Sequence, residues 1–197
     1  MKPRWNHSIN YYPLILREVP TPCVAALDVG CGDGSFARRL AARSGRVDAV
    51  DRSETMIRLA REENVGTANL RFLHADFLDL VLPEGSYDFV ASLSTIHHME
   101  FRAAIERMRT LLRPGGVLAI LGVARDRSPR DVATSVIAVA ANRALRLVRG
   151  WYEPGFPISP PTMSYREVRA DARALLPEVT VRRLLLFRYL LLWRNAD

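Results

Sequence analysis

Residues 27–34 read Leu-Asp-Val-Gly-Cys-Gly-Asp-Gly, an apolar strand running into a turn with glycines at 30, 32 and 34. A helix over residues 35–44 and a second short strand closing on Asp51 follow, so the chain opens as a βαβ unit. Glycines in such a turn let the backbone approach a ligand that side chains would keep away. The dinucleotide fingerprint requires its third glycine at position 35, where this chain has Ser35. The loop also holds two carboxylates, Asp28 and Asp33, beside the helix N-terminus, where a pyrophosphate would need unopposed donors. An adenosine bearing positive charge suits this loop better than one bearing phosphates.

Four further segments continue the pattern: Ala49-Val50-Asp51, His74-Ala75-Asp76-Phe77, Tyr87-Asp88-Phe89-Val90 and Leu112-Arg113-Pro114-Gly115-Gly116-Val117-Leu118. In order and spacing, the five resemble the motifs of the class I S-adenosylmethionine-dependent methyltransferases, of the small-molecule methyltransferase-domain 11/25 type. The resemblance covers residues 23–122. It implies a doubly wound, Rossmann-like α/β fold whose seven-stranded, mostly parallel sheet carries an antiparallel strand at its C-terminal end. It also implies S-adenosyl-L-methionine as cofactor.

The periodicity agrees. Strands are predicted at 25–29, 47–50, 70–74, 89–93 and 117–121, alternating with helices at 53–64 and 101–112 that present apolar residues at helical spacing. Such alternation implies parallel strands joined by right-handed crossovers. Residues 5–19 read as a short helix ahead of Pro20, and 131–148 as a strongly apolar helix. A loop rich in proline and aromatics follows at 150–161. Ser164 and Glu167 form a capping box for a helix over 164–176, and 179–183 and 185–193 read as strands. The chain is thus read as one domain, 1–197. An N-terminal cap over 1–22 precedes the cofactor-binding half at 23–122, a substrate-side insertion at 125–163, and a helix with the closing strand pair at 164–197.

Each part of the methyl donor needs a partner. Asp28 and the backbone of Gly30, Cys31 and Gly32 suit the methionine end, the competing role for Asp28 being to brace the turn. Asp51 stands 21 residues past Gly30, the spacing of a carboxylate that receives ribose hydroxyls, and it can also cap the next helix. Asp76 and the Phe77 amide match the family's adenine contacts, with Arg52 bordering the ring. Met56 either slides its thioether against the adenine or packs in the core. Leu93, closing strand four, joins this set. The family layout implies that the N-terminal stretch with His7, Asn10, Tyr11 and Tyr12 folds over the sulfonium as a lid, Tyr11 touching the cofactor. Asp88 reads as a structural acid.

The chemistry of this fold sits past strand four, here Ser92-Leu93-Ser94-Thr95-Ile96-His97-His98-Met99. His97 and His98 are the candidate catalytic bases if the acceptor must lose a proton; their other role is capping or packing. The Asn/Asp-Pro-Pro-Tyr turn of amino-methylating enzymes on adenine and glutamine is replaced by Ser-Leu-Ser-Thr. No carboxylate occurs at residues 89–99 and no cluster has metal-ligand spacing, so no metal is expected.

The chain has 197 residues, 49% of them hydrophobic, and a net charge of +7. Of 28 basic side chains only Lys2 is lysine. The arginines are scattered without interleaved aromatics, so nucleic acid is not the expected partner. The apolar run 184–193 is interrupted by Arg188 and too short to span a membrane. The N-terminus has no signal-peptide core, and two cysteines make no disulfide framework, which points to the cytoplasm. The reading is a methyltransferase, monomeric or homodimeric, that methylates O, N or C of a small, partly hydrophobic acceptor. The alternatives are a cofactor-binding module without transferase activity, or an RNA or protein methyltransferase.

Overall fold

The computed structural model describes residues 5–125, 139, 142–143, 145–146, 148–149, 151–152, 155 and 159–196. Its strands are β1 (Ala25–Val29), β2 (Arg46–Asp51), β3 (Leu70–His74), β4 (Tyr87–Leu93), β5 (Leu112–Gly122), β6 (Thr180–Leu184) and β7 (Arg188–Arg194). They form one seven-stranded sheet in the order β3-β2-β1-β4-β5-β7-β6. The first five strands pair in parallel, and β7 runs antiparallel to both β5 and β6. The doubly wound α/β architecture expected from the motifs is therefore present.

The all-buried, near-continuous apolar run of β1 follows from helices lying on both faces of the sheet. One face carries α1 (Tyr12–Leu16), α2 (Ser35–Ala41) and α3 (Glu54–Glu63), whose Ile15, Phe36, Leu40 and Ile57 pack with Ala26, Val47 and Phe89. The other carries α4 (Phe101–Leu111) and α5 (Tyr165–Leu175), which bring Ile105, Met108, Val168 and Leu175 against Leu27, Val90 and Leu118. The starts of α3 and α5 are set by side-chain caps, each contributing about 1 kcal/mol. Ser53 accepts from the Met56 amide, and Ser164 and Glu167 close the anticipated capping box. Asp88 is structural, accepting from the amides of Val24 and Ala25 at 2.7 and 2.8 Å and from Arg113 at 3.0 Å.

Two expectations change. The N-terminal helix is shorter, a 3-10 turn at Ile9–Tyr11 leading into α1. The closing strands shift, because Leu186 and Phe187 take left-handed backbone (φ 59° and 62°) and turn the chain at 185–187. That turn has no Gly, Asn or Pro to announce it, so residues 185–193 read as one unbroken apolar strand. The helix expected over 131–148 lies mostly outside the described residues; positions 139, 142–143, 145–146 and 148–149 have helical backbone. Among the described residues no helix is long and apolar enough to cross a membrane.

Candidate active site

Successive strands step outward from β1 to β2 and β3 on one side and from β4 to β5 on the other, so the winding reverses between β1 and β4. A crevice opens beyond the carboxyl ends of parallel strands at such a switch point. Here it is a cavity of about 600 Å³. Gly30 and Thr95 meet on its wall. Gly30 has φ +75°, and a Cβ placed there would lie 2.1 Å from the Thr95 side chain. The Thr95 hydroxyl donates to the Gly30 carbonyl at 3.1 Å, tying the glycine loop to the β4 exit.

Three acids line the end under the loop. Asp28 is 1% exposed, and its Oδ2 is buried with no hydrogen-bond partner. Burial, reinforced by Asp51 and Asp33, pushes its pKa up to about 8. The turn is braced instead by Asp51, whose two oxygens accept from the Gly32 and Ser53 amides, each at 2.9 Å. The helix cap considered for Asp51 falls to Ser53. Asp33 accepts from the Ser35 amide at 3.0 Å and from the Tyr152 hydroxyl at 2.9 Å. Cys31 and Gly32 complete the loop wall; burial raises the Cys31 thiol well above its ordinary pKa, which leaves it inert as a nucleophile.

Beside Asp51 lie Arg52 and Met56, the latter both 7% exposed and facing the cavity. Asp76 stands at the rim, accepting from the Leu78 amide at 2.9 Å, and Phe77 and Leu93 form buried parts of the wall. His97 and His98 follow β4 on the 3-10 turn Ile96–His98, their rings 4.1 Å apart. Burial first, then the charges of His98 and Arg188, lowers the pKa of His97 to about 4. His98 is also lowered, by burial and then Arg52. Both imidazoles are therefore neutral at pH 7, and His97 is too weakly basic to accept a proton readily.

The structure brings every candidate site residue to the cavity wall except Tyr11 and, among the lid residues, Asn10. Tyr11 donates its hydroxyl to the Leu185 carbonyl at 2.6 Å and does not line the cavity. Its neighbour Tyr12 does, with its ring edge-on to Phe36 and its hydroxyl 3.0 Å from that of Ser35. The physical reason is that Tyr11 ends the 3-10 turn, whereas Tyr12 begins α1 facing the sheet.

Several contributors carry no sequence motif. The N-terminal stretch is fastened to Asn142, Trp151 and Tyr152 as a roof. The Tyr152 amide donates to the Trp5 carbonyl at 2.8 Å, His7 bonds Asn142 at 2.9 Å, and Trp5 and His7 meet the Trp151 ring edge-on. Ser8 bonds Ser94 at 2.7 Å, and Ser94 itself is left-handed, with φ 58°. Arg188 also reaches the cavity. Only the polar interruption at 188 in an apolar run could have flagged it.

A family profile described as a methyltransferase domain matches residues 26–116. An uncharacterized methyltransferase of Mycobacterium tuberculosis is 39% identical over 192 residues, covering 96% of each chain. A demethylmenaquinone methyltransferase of Staphylococcus aureus is 28% identical over 108 residues, covering 53% of this chain and 45% of that one. The fold also matches N-methyltransferase NodS from Bradyrhizobium japonicum in complex with S-adenosyl-L-homocysteine. The TM-score is 0.64 at 19% identity, over 96% of this chain and 87% of that one. The glycine loop, the acids around it and a near full-length relative agree: the chain belongs to the methyltransferase-domain family and is a class I S-adenosylmethionine-dependent methyltransferase.

Proposed function

We propose that this enzyme methylates O, N or C of a small, partly hydrophobic metabolite. The observation that carries the reading is a cavity lined by three carboxylates at the glycine loop and also by Met99, Val123, Trp151, Pro160 and Phe187, which we take as its apolar, acceptor end. S-adenosylmethionine supplies, when bound, an electrophilic methyl group on a sulfonium. The residues present fit it. Asp28 offers a buried, unpartnered carboxylate oxygen to a cation, and the glycine loop that lines the cavity presents backbone in place of side chains. In this reading Asp28, Gly30, Cys31 and Gly32 hold the methionine end. Asp51 receives the ribose hydroxyls on its remaining lone pairs, and Arg52, Met56, Asp76, Phe77 and Leu93 enclose the adenine.

The chain's own contribution to rate is alignment and exclusion of water, because in-line displacement at carbon gains most from positioning. His97 and His98, neutral at pH 7, wall the reacting region and orient the acceptor; a general-base role would fall to His98 ahead of His97. Residues 1–22 act as the cap and 125–163 as the acceptor side of a single domain. Two buried, unpaired cysteines are in keeping with a reducing cytoplasm. The basic excess does not argue for nucleic acid, since many arginines are engaged within the fold. Arg71 pairs with Asp48, Arg102 with Asp171 and Arg113 with Asp88, while Arg61 and Arg109 bond backbone carbonyls.

The test is incubation with methyl-labelled S-adenosylmethionine and a small-metabolite extract, beside an RNA fraction and a protein fraction. Label recovered in a small, organic-extractable product supports the reading. Label confined to RNA or protein overturns it, as does donor binding without any transfer.

A further inference from the structure

Among the described residues, the cavity wall holds a buried arginine with no carboxylate paired to it. Arg188 opens β7 immediately after the left-handed pair Leu186 and Phe187. Strand alternation places it on the face of Leu190 and Leu192, toward the N-terminal segment. It lines the cavity, and its Nε is buried without a hydrogen-bond partner. No described carboxylate forms an ion pair with it. The side chains that feel its charge are His7, Tyr11 and His97, none of them a carboxylate. The charges acting on Asp28 are those of Asp51 and Asp33. Arg188 is not among the charges acting on Asp28, so it stands apart from that carboxylate within one cavity.

A desolvated guanidinium without a partner is costly to keep, and the cost is relieved when an anion enters. Its planar fork matches a carboxylate through two parallel hydrogen bonds. The other described arginine on the cavity wall, Arg52, lies beside Asp51, so a single positive charge serves the apolar end. That suits a monoanion better than a phosphate. We propose that Arg188 recognises the methyl acceptor, and that the acceptor is a carboxylic acid whose carboxylate seats on this guanidinium while its apolar body lies against Trp151, Phe187 and Pro160. The proposal rests on the reading that the apolar end is the acceptor side.

The test uses the full chain saturated with S-adenosylhomocysteine and two pairs of probes, octanoate with octanamide and 3-phenylpropionate with 3-phenylpropionamide. Thermal shift and calorimetry are expected to show each acid binding at least about tenfold more tightly than its amide, the scale of a charged hydrogen bond. Arg188→Gln should abolish that preference while keeping S-adenosylhomocysteine affinity within about threefold, well short of losing a charged contact. Arg188→Lys, which keeps the charge but not the fork, should retain only part of it. Equal binding of acid and amide by the unaltered protein overturns the proposal, and so does an acid preference that survives Arg188→Gln. Loss of S-adenosylhomocysteine affinity in a folded Arg188→Gln variant overturns it differently, by assigning the arginine to the donor's carboxylate. If Arg188→Gln does not fold, the acid–amide comparison and Arg188→Lys decide. Failure of the unaltered protein to bind S-adenosylhomocysteine would strike the donor-site assignment instead.

Discussion

Asp28 couples the glycine loop to pH. Its pKa rises from an ordinary carboxylate value to about 8 because burial and two neighbouring acids oppose its charge. An acid raised in the folded state contributes stability that is complete below its unfolded pKa and is lost as pH climbs through the folded one. Between about pH 4 and 8 this residue alone should therefore lower stability by up to about 1.4 kcal/mol per pH unit. Asp28→Asn should flatten that fall, read as melting temperature against pH. A cation placed beside the carboxylate reverses its preference, so S-adenosylmethionine binding at pH 7 should release a proton. Calorimetry in two buffers of different ionisation enthalpy measures this; equal heats in both would remove Asp28 from the donor site. The sequence pointed to this position through the motif alone. That the carboxylate braces nothing, and that Asp51 takes over the bracing, depends on hydrogen bonds between separate loops.

Among the elements, the roof gives the least local signal. Tyr152 bonds the Trp5 carbonyl through its amide and Asp33 through its hydroxyl, joining an N-terminal segment, a late loop and the glycine turn. Tyr152→Phe removes only the hydroxyl bond, a change of about 1 kcal/mol. Donor affinity should fall roughly three- to tenfold with little change in melting temperature, as measured by calorimetry and thermal unfolding. Unchanged affinity would show that the roof does not restrain the donor site. The sequence marked both partner regions as aromatic, but their pairing is set by packing across more than 140 residues of chain. The same limit explains Tyr11 and Tyr12. Adjacent tyrosines on a helical turn point apart, and only the start of α1 against the sheet selects Tyr12 for the cavity.

Across the whole molecule, the sheet is held below the site by a second polar cluster. Asp48, 3% exposed on β2, accepts from the Tyr87 hydroxyl of β4 at 2.8 Å and from Arg71 of β3 at 2.8 Å, with Arg46 at 3.6 Å. These bonds link three strands near the end of the sheet opposite the cavity. Tyr87→Phe should cost about 1–3 kcal/mol by leaving a buried carboxylate short of a donor, visible as a lower urea midpoint. Donor affinity should not move; a parallel loss would mean that sheet stability and the site are coupled. The alternation of strands and helices, the helix caps and the glycine turn are all legible in the chain itself. Each is written in neighbouring residues, as apolar runs, 3.6-residue spacing and a cap three positions from its partner. The roof, the hairpin turn at Leu186 and Phe187, and the isolation of Arg188 emerge only on folding. What a charge is worth depends on which distant residues take away its water and whether any of them offers a counter-charge.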